Sequence, residues 1–381
     1  MAARGWWMPR CGSITRSSPP RRVHRSARPG QRGRGRRVPV GTLRARQPGM
    51  ILCGIARTHL DCSAALQRNR VRLEAAVSRI TLWWRATRPF AFSASVISAL
   101  LGGLLAVGQA GVPLHWGHYL LAILGAAAAH AAANLLNDYF DFRKGVDRPG
   151  TLGSSGVLTE GRMAPRAVLQ EALLLGALGL LLALYFLAVT GPLLLPLFAA
   201  GLVLGIGYTA APMQLKYRAL GDLAVFAAFG IGITLGSYAV QTGRLSWVPV
   251  AYAVPISFLV AAILHGNNLR DMRSDRAAGI STLAMRLGPV RGWRLYLALL
   301  GLAYMSALIL VSAGVIVATG LLVLLSLPLA LQIARRFGPR IARISAAGTG
   351  GSLALIDVET ARLHMVFGLL LTLAVLLTVV F

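Results

Sequence analysis

The chain is 381 residues long, 56% hydrophobic and 13% charged, yet its formal net charge is +27 and its mean hydropathy is +0.64. A soluble domain carries about 25% charged residues, which excludes an ordinary cytosolic enzyme. A nucleic-acid binder spreads its charge over a polar surface, which excludes that reading for the chain as a whole.

The charge is segregated along the chain. Residues 1–80 hold 18 arginines against Asp61 and Glu74, and residues 81–381 hold 21 basic and 10 acidic side chains. Residues 1–50 contain 13 arginines, no acid, and many Pro, Gly and Ser. Such a stretch buries too little apolar area to offset chain entropy, so residues 1–72 are expected to be a disordered Arg-rich extension. An organellar transit peptide or a nucleic-acid-binding arm are its sharper readings. The plainer one is a dispensable extension with translation starting at Met50, and on that reading no nucleic-acid partner is expected. A secretory signal is excluded, because no apolar run of about 7–15 residues follows the charges. Cys11, Cys53 and Cys62 all lie in this part, so no disulfide framework or thiolate metal site supports the rest.

From Leu73 the pattern becomes helical: Leu73, Val77, Ile80 and Trp84 recur beside Arg72 and Arg79. This predicts an interfacial helix over 73–88, with Trp83 and Trp84 at headgroup depth. Residues 89–381 read as an all-α membrane domain. Nine apolar stretches are each about long enough to span a bilayer: 91–110, 116–138, 168–189, 192–209, 220–240, 247–268, 295–315, 317–334 and 364–381. Pro113 falls in a turn, and Pro192 and Pro249 fall in first turns, where proline is tolerated. Gly201/Gly205 and Gly232/Gly236 have the spacing that lets membrane helices approach closely. Gly205-Ile206-Gly207-Tyr208-Thr209-Ala210 imitates a dinucleotide fingerprint, but no strand precedes it.

Orientation follows from the loops. Those after the second, fourth, sixth and eighth stretches, with Arg85 and Arg88, carry 20 of the 21 Lys and Arg of residues 81–381. Positive charge stays on the cytoplasmic side, which places the N-terminus there. The Ala, Gly, Leu and Arg bias points to a GC-rich genome, hence a multi-pass protein of a bacterial cytoplasmic membrane.

Acids are costly in a membrane and are functional by default. Five of the ten in the apolar body form two clusters. The first ends the second stretch, with Asn134, Asp138 and Asp141 on one helical face and Asp147 beyond Gly145. The second ends the sixth stretch, with Asn267, Asp271 and Asp275 again on one face. Both open on the cytoplasmic side by the charge count. Oxygen ligands without Cys or His suit Mg²⁺ shared with a substrate phosphate. Arg143, Lys144, Lys216, Arg218, Arg270 and Arg273 stand where they can complete an anion clamp. The Gly- and Ser-rich loop from about Gly145 to Pro165 has the length of a lid. Interfacial acids that merely orient the protein, a transporter's cation site and a membrane anchor for the basic tail are the competing readings.

The motifs NLLNDYFDFRKGVD, YTAAPMQLKYRALGD, GSYAVQTG and NNLRDMRSDRAAGISTLAMRLG stand in this order from Asn134 to Gly288. The chain resembles the UbiA superfamily of intramembrane prenyltransferases over roughly residues 85–381. It is most similar to the menaquinone branch, the 1,4-dihydroxy-2-naphthoate polyprenyltransferases, because the third acid follows as DxxDxxxxxD rather than DxxDxxxD. The resemblance implies a bundle of nine transmembrane helices and transfer of a polyprenyl group from polyprenyl diphosphate to dihydroxynaphthoate, with decarboxylation. Other acceptors of the superfamily are 4-hydroxybenzoate, homogentisate and a glycerol phosphate. It further implies that Asp138, Asp141, Asp271 and Asp275 are catalytic and, with Asn134, hold two Mg²⁺ ions on the diphosphate. Asp147 and Asn267 are implied as secondary ligands. Lys216, Arg218 and Arg270 would engage the diphosphate, Tyr208 would face the cavity, and the prenyl tail would lie among apolar helices open to membrane lipid. His115 and His118 read as interface residues. His130 and His265 read as cavity-lining or helix-packing residues, and Asp222 as the residue that caps or orients a helix start.

Overall fold

The computed structural model describes residues 78–150, 152–209, 212–347 and 353–380, and every described residue assigned to secondary structure is helical. The expected extension over 1–72 and the start of the interfacial helix, 73–77, lie outside the described residues. What is described falls in one structural unit, Gln67–Phe381. Helix α1 covers 78–86, and its Ile80 and Trp84 are exposed while Ala86 is buried.

Among the described residues, eight helices are long and apolar enough to cross a membrane: α2 (Pro89–Ala110), α3 (Trp116–Arg143), α4 (Pro165–Thr190), α6 (Gly221–Thr242), α7 (Trp247–Ala277), α8 (Leu283–Ser312), α9 (Ala318–Ile341) and α10 (Ile356–Val379). The fourth expected stretch is a shorter apolar helix, α5 (Pro192–Gly207). The chain is a multi-pass integral membrane protein. Leu173, Leu174, Leu180, Leu181 and Leu184 of α4 are exposed, the arrangement of a helix that faces lipid rather than water. Trp116 and Trp247, the first residues of α3 and α7, are also exposed, where amphipathic rings suit the headgroup boundary.

Local chemistry explains the ends. Helix α2 stops at Gly111, whose left-handed backbone returns its N–H to the carbonyls of Ala106 and Val107, and Pro113 follows in the turn. Helix α7 starts at Ser246, whose side chain accepts from the Val248 N–H at 3.2 Å. Helix α8 is broken at Gly288, with φ 75° and ψ 170°, just before Pro289. Its first turns, Leu283 onward, are therefore a separate piece that ends the second acid motif.

Helices α3 and α7 are long enough to extend beyond a bilayer's hydrocarbon core. At 1.5 Å per residue, α3 and α7, with 28 and 31 residues, measure about 42 and 46 Å, against a hydrocarbon core of about 30 Å. The sequence analysis ended them near 138 and 268. In the structure helix continues past those points, to Arg143 and Ala277, so Asp138, Asp141, Asp271 and Asp275 keep a helical register, while Asp147 lies on the connection after α3.

The main core lies between α7, α8 and α10, with Tyr252, Ile256, Leu259, Tyr296, Phe367 and Leu371 fully or almost fully enclosed. A second cluster joins Leu135 of α3 and Val168 and Ala172 of α4 to Val157 and Leu158 of the α3–α4 connection. That connection is thus anchored by apolar side chains, and Arg85 holds it further through Glu160 at 2.6 Å and the Ser155 carbonyl at 3.0 Å. Close helix approach occurs at glycines other than the expected ones. A Cβ on Gly205 or Gly236 would meet nothing within 4 Å among the described residues, whereas one on Gly102 of α2 would collide with the Thr234 carbonyl of α6. Spacing permits close approach but does not choose the face that is packed: Gly201 and Gly205 stand on an exposed face of α5.

Because the Gly102 clash is with backbone, Gly102→Ala is expected to destabilise the protein by roughly 1–3 kcal/mol. Gly205→Ala is expected to be neutral or stabilising. Thermal unfolding in detergent checks both, and equal midpoints for the two variants would contradict the packing described.

Candidate active site

Five segments meet at one end of the bundle: the α1–α2 junction, the end of α3 with its connection to α4, the α5–α6 connection, the end of α7, and the start of α10. The charge count assigned all five to the same side. Asp138 and Asp141 are buried on α3, and Asp271 and Asp275 on α7. Asn134 and Asn267 are half-buried at the same faces.

Each of three carboxylates has a cation from the chain itself. Asp138 pairs with Arg88, and its other oxygen accepts the Ser155 backbone N–H at 3.0 Å. Asp141 pairs with Lys216 and accepts the Tyr217 hydroxyl at 2.7 Å. Asp271 takes a two-pronged contact from Arg270, Nε to Oδ1 at 2.9 Å and Nη2 to Oδ2 at 2.8 Å. The same guanidinium donates to Asn267 and, through Nη1, to Asp357 of α10 at 2.5 Å. Asn134 donates to the Thr87 carbonyl at 3.0 Å.

The two clusters share a cavity of about 20 Å³, lined among others by Asp147, Gly153, Lys216, Asn267, Asp271 and Asp275. That is room for about one water. It stays small because the α3–α4 connection reaches across it: a Cβ on Gly153 would stand 2.8 Å from Asp271 Oδ2. The connection expected as a flexible lid is, in this state, a packed cover.

Not every expected residue converges. Arg218 is exposed and donates to the Pro212 carbonyl at 3.0 Å. Tyr208 is half-buried, and its carbonyl accepts the Lys216 N–H at 3.0 Å, so it positions Lys216 through backbone. Arg143 is exposed, and Lys144 lies over the Tyr217 ring at 4.3 Å. His118 bonds the Tyr185 hydroxyl at 3.1 Å. His130 bonds Ser95 at 3.1 Å beside Phe229. Asp222 does more than begin α6: it is buried, 2.6 Å from His265 Nδ1, and accepts from Asn268 at 3.2 Å. His265 Nε2 lies 3.0 Å from the Gly292 carbonyl, which ties α6, α7 and α8 behind the second cluster.

Three contributors escaped sequence reasoning. Arg88 was counted only as an orienting charge, although a basic residue directly before Pro89 was visible. Tyr217 stood unremarked between two flagged basic residues. Asp357, 87 residues from Arg270, had no signal beyond being an acid near an apolar stretch.

The electrostatics follow from burial and pairing. Burial pulls Lys216 down, but the Asp141 charge and hydrogen bond outweigh it and hold the ammonium above the ordinary lysine range. Burial, and then the Asp141 charge, raise Tyr217 above the ordinary tyrosine range. Asp147 is pushed up to about 7, first by burial and then by the Asp141 and Asp138 charges. Its Oδ2 is buried with no hydrogen-bond partner. That orphaned acceptor beside the cavity, within an all-oxygen donor set, fits a hard divalent cation. Among the described residues no three Asp, Glu, His or Cys side chains already stand close enough together to hold one. Arg88, Lys216 and Arg270 neutralise the carboxylates instead.

Comparison with known proteins gives a consistent picture. The model of the UbiA prenyltransferase family matches residues 95–346. UbiA prenyltransferase domain-containing protein 1 of Homo sapiens is 35% identical over 300 residues, 77% of this chain and 82% of that protein. The 1,4-dihydroxy-2-naphthoate octaprenyltransferase of Bacillus subtilis (strain 168) is 29% identical over 295 residues, 77% of this chain and 92% of that protein. Among solved structures, an apo UbiA homologue from Aeropyrum pernix K1 shares the fold, with a TM-score of 0.54 and 18% identity over 76% of this chain and 98% of its own.

The Asp147 environment makes stability depend on pH in metal-free buffer. A carboxyl raised from 3.8 to about 7 on folding contributes most below its unfolded value and loses that contribution as pH rises through 7. Asp147→Asn is therefore expected to match the wild type near pH 4. It should exceed it increasingly towards pH 7, by roughly 1.4 kcal/mol per unit, and level off above. Thermal unfolding in EDTA across that range reads the gap, and a constant gap would refute the assignment.

Proposed function

The chain belongs to the UbiA prenyltransferase family, and from that premise we propose that it transfers a polyprenyl group from polyprenyl diphosphate to 1,4-dihydroxy-2-naphthoate, with decarboxylation, giving demethylmenaquinol. The observation that carries the reading is one polar cavity at the end of an apolar bundle, lined by Asp147, by Asp271 and Asp275 of α7, and by Lys216, whose ammonium pairs with Asp141 of α3. The name of the Bacillus subtilis relative and the DxxDxxxxxD spacing support the acceptor.

In this reading Asn134, Asp138 and Asp141 on one side and Asp271 and Asp275 on the other hold two Mg²⁺ ions, with Asp147 and Asn267 completing the set. Bound there, Mg²⁺ neutralises charge developing on the departing diphosphate. Lys216, once exchanged from Asp141, gives the diphosphate a buried ammonium. The prenyl carbon–oxygen bond breaks with its electron pair on the diphosphate, and a ring carbon of the acceptor attacks the allylic cation. A carboxylate of the site or the diphosphate itself takes the proton from that carbon, and the carbon that loses the ring carboxylate as CO₂ takes up a proton in its place, so the ring ends aromatic and neutral. The α3–α4 connection covers the reacting atoms and keeps water from the cation. Opening it admits a diphosphate, which the present cavity cannot hold.

The basic loops support an N-terminus and active site on the cytoplasmic side of a bacterial cytoplasmic membrane. Nine crossings fit that orientation if α5 counts as the ninth. It runs from Pro192 to Gly207, and Lys216, in the connection after it, pairs with Asp141.

Membranes containing the protein, given a polyprenyl diphosphate, Mg²⁺ and a panel of aromatic acceptors, are expected to yield a dihydroxynaphthoate product lighter than the simple adduct by one CO₂. Mass spectrometry reads this, and a product from 4-hydroxybenzoate alone would shift the acceptor assignment. Asp138→Ala and Asp271→Ala are each expected to lower the rate by about 100-fold or more, and EDTA to abolish it. Two fully active variants would overturn the metal reading.

A further inference from the structure

Arg270 lies inside the second acid motif and does not line the cavity itself, although it donates to Asn267 and Asp271, which do. It is buried, and its donors go to Asp271, Asn267 and Asp357. Asp357 is the second residue of α10. An acid in a first turn is ordinarily a surface residue that complements the helix dipole, and Glu359 behaves so, pairing with half-exposed Arg336. Asp357 does not. It is 4% exposed, its Oδ2 holds Arg270, and its Oδ1 is buried with no partner.

We propose that Asp357 is a positioning residue for the second cluster: it retains the Arg270 guanidinium when Asp271 turns to a divalent cation. The inference rests on the metal–diphosphate reading of the site. The argument is one of charge and acceptors. Asp271, Arg270 and Asp357 together carry one net negative charge, in surroundings too enclosed for water to screen them. Without Asp357 the cluster is neutral and Arg270 has a single carboxylate to hold, so a cation must displace the guanidinium from its sole anionic partner. With Asp357 present, the N–H groups leaving Asp271 find the vacant Oδ1 acceptor on the neighbouring carboxylate. The device is a carboxylate acting on a metal ligand through an intervening cation, and outer partners of this kind tune metal affinity.

The test uses full-length protein in detergent, Mn²⁺ as the probe, and loss of the free-ion electron paramagnetic resonance signal as the readout. Wild type is expected to bind, and Asp357→Asn to weaken one bound ion by roughly 10-fold or more. Asp357→Glu, which keeps the charge, should stay within about threefold of wild type. The double variant Arg270→Gln/Asp357→Asn should recover wild-type affinity, because Asp271 is then free of its guanidinium. A merely structural role would make the double variant no better than the single one. That result, or unchanged Mn²⁺ affinity in Asp357→Asn, overturns the inference while leaving the site reading intact. Absence of Mn²⁺ binding by the wild type overturns the site reading itself, and the inference with it. Should Asp357→Asn fail to fold, the other two variants decide: affinities near wild type support the proposal, and roughly tenfold losses in both refute it.

Discussion

Buried carboxylates must be neutralised, and much of the architecture at the site end of this bundle follows from that constraint. Asp138, Asp141 and Asp271 are each at most 8% exposed, where a lone charge costs several kcal/mol. Their counterions come from three different places: Arg88 before α2, Lys216 between α5 and α6, and Arg270 on α7. Satisfying the first two brings together segments 50 and 75 residues apart, and the third draws in Asp357, 87 residues from Arg270, at the same end of the helices. Such pairs add little net stability over an apolar packing, but losing one partner costs about 3–5 kcal/mol. They specify an arrangement more than they strengthen it.

The same constraint suits the proposed chemistry. A site that receives a diphosphate and divalent ions must exist without them, and a row of bare aspartates could not. Internal cations fill that role, and the cover over the cavity is made partly of backbone N–H groups, such as that of Ser155 on Asp138. Exchange then replaces one set of charge pairs by another, so the protein need not create and strand charges in a low-dielectric setting. Asp147 differs from Asp138, Asp141 and Asp271: its Oδ2 is buried without a hydrogen-bond partner, which leaves that oxygen available as an acceptor.

The length of α3 and α7 reconciles this polar end with a membrane. A helix ended at Asp138 would have left Asp141 and Asp147 on loop. Continued to Arg143, it keeps Asp138 and Asp141 one turn apart. Beyond it, the α3–α4 connection is pinned by Val157 and Leu158, so a segment that reads as polar and flexible is fixed by two apolar residues among many glycines and serines.

Much was legible in one dimension. Membrane class, the all-helical body, most of the crossing stretches, a common side for both acid clusters and the identity of those acids follow from hydropathy, charge and 3.6-residue periodicity, which are local properties of the chain. What tertiary structure alone decided was partnership. Nothing in the sequence says that Arg88 meets Asp138, that Arg270 spends its donors on Asp271 and Asp357 while Arg218 stays outside, or that Gly102 is packed tightly while Gly205 is open. Charge type and helical face are encoded residue by residue. Which face meets which depends on distant segments competing for the same buried space, and that competition is settled only when the whole bundle packs.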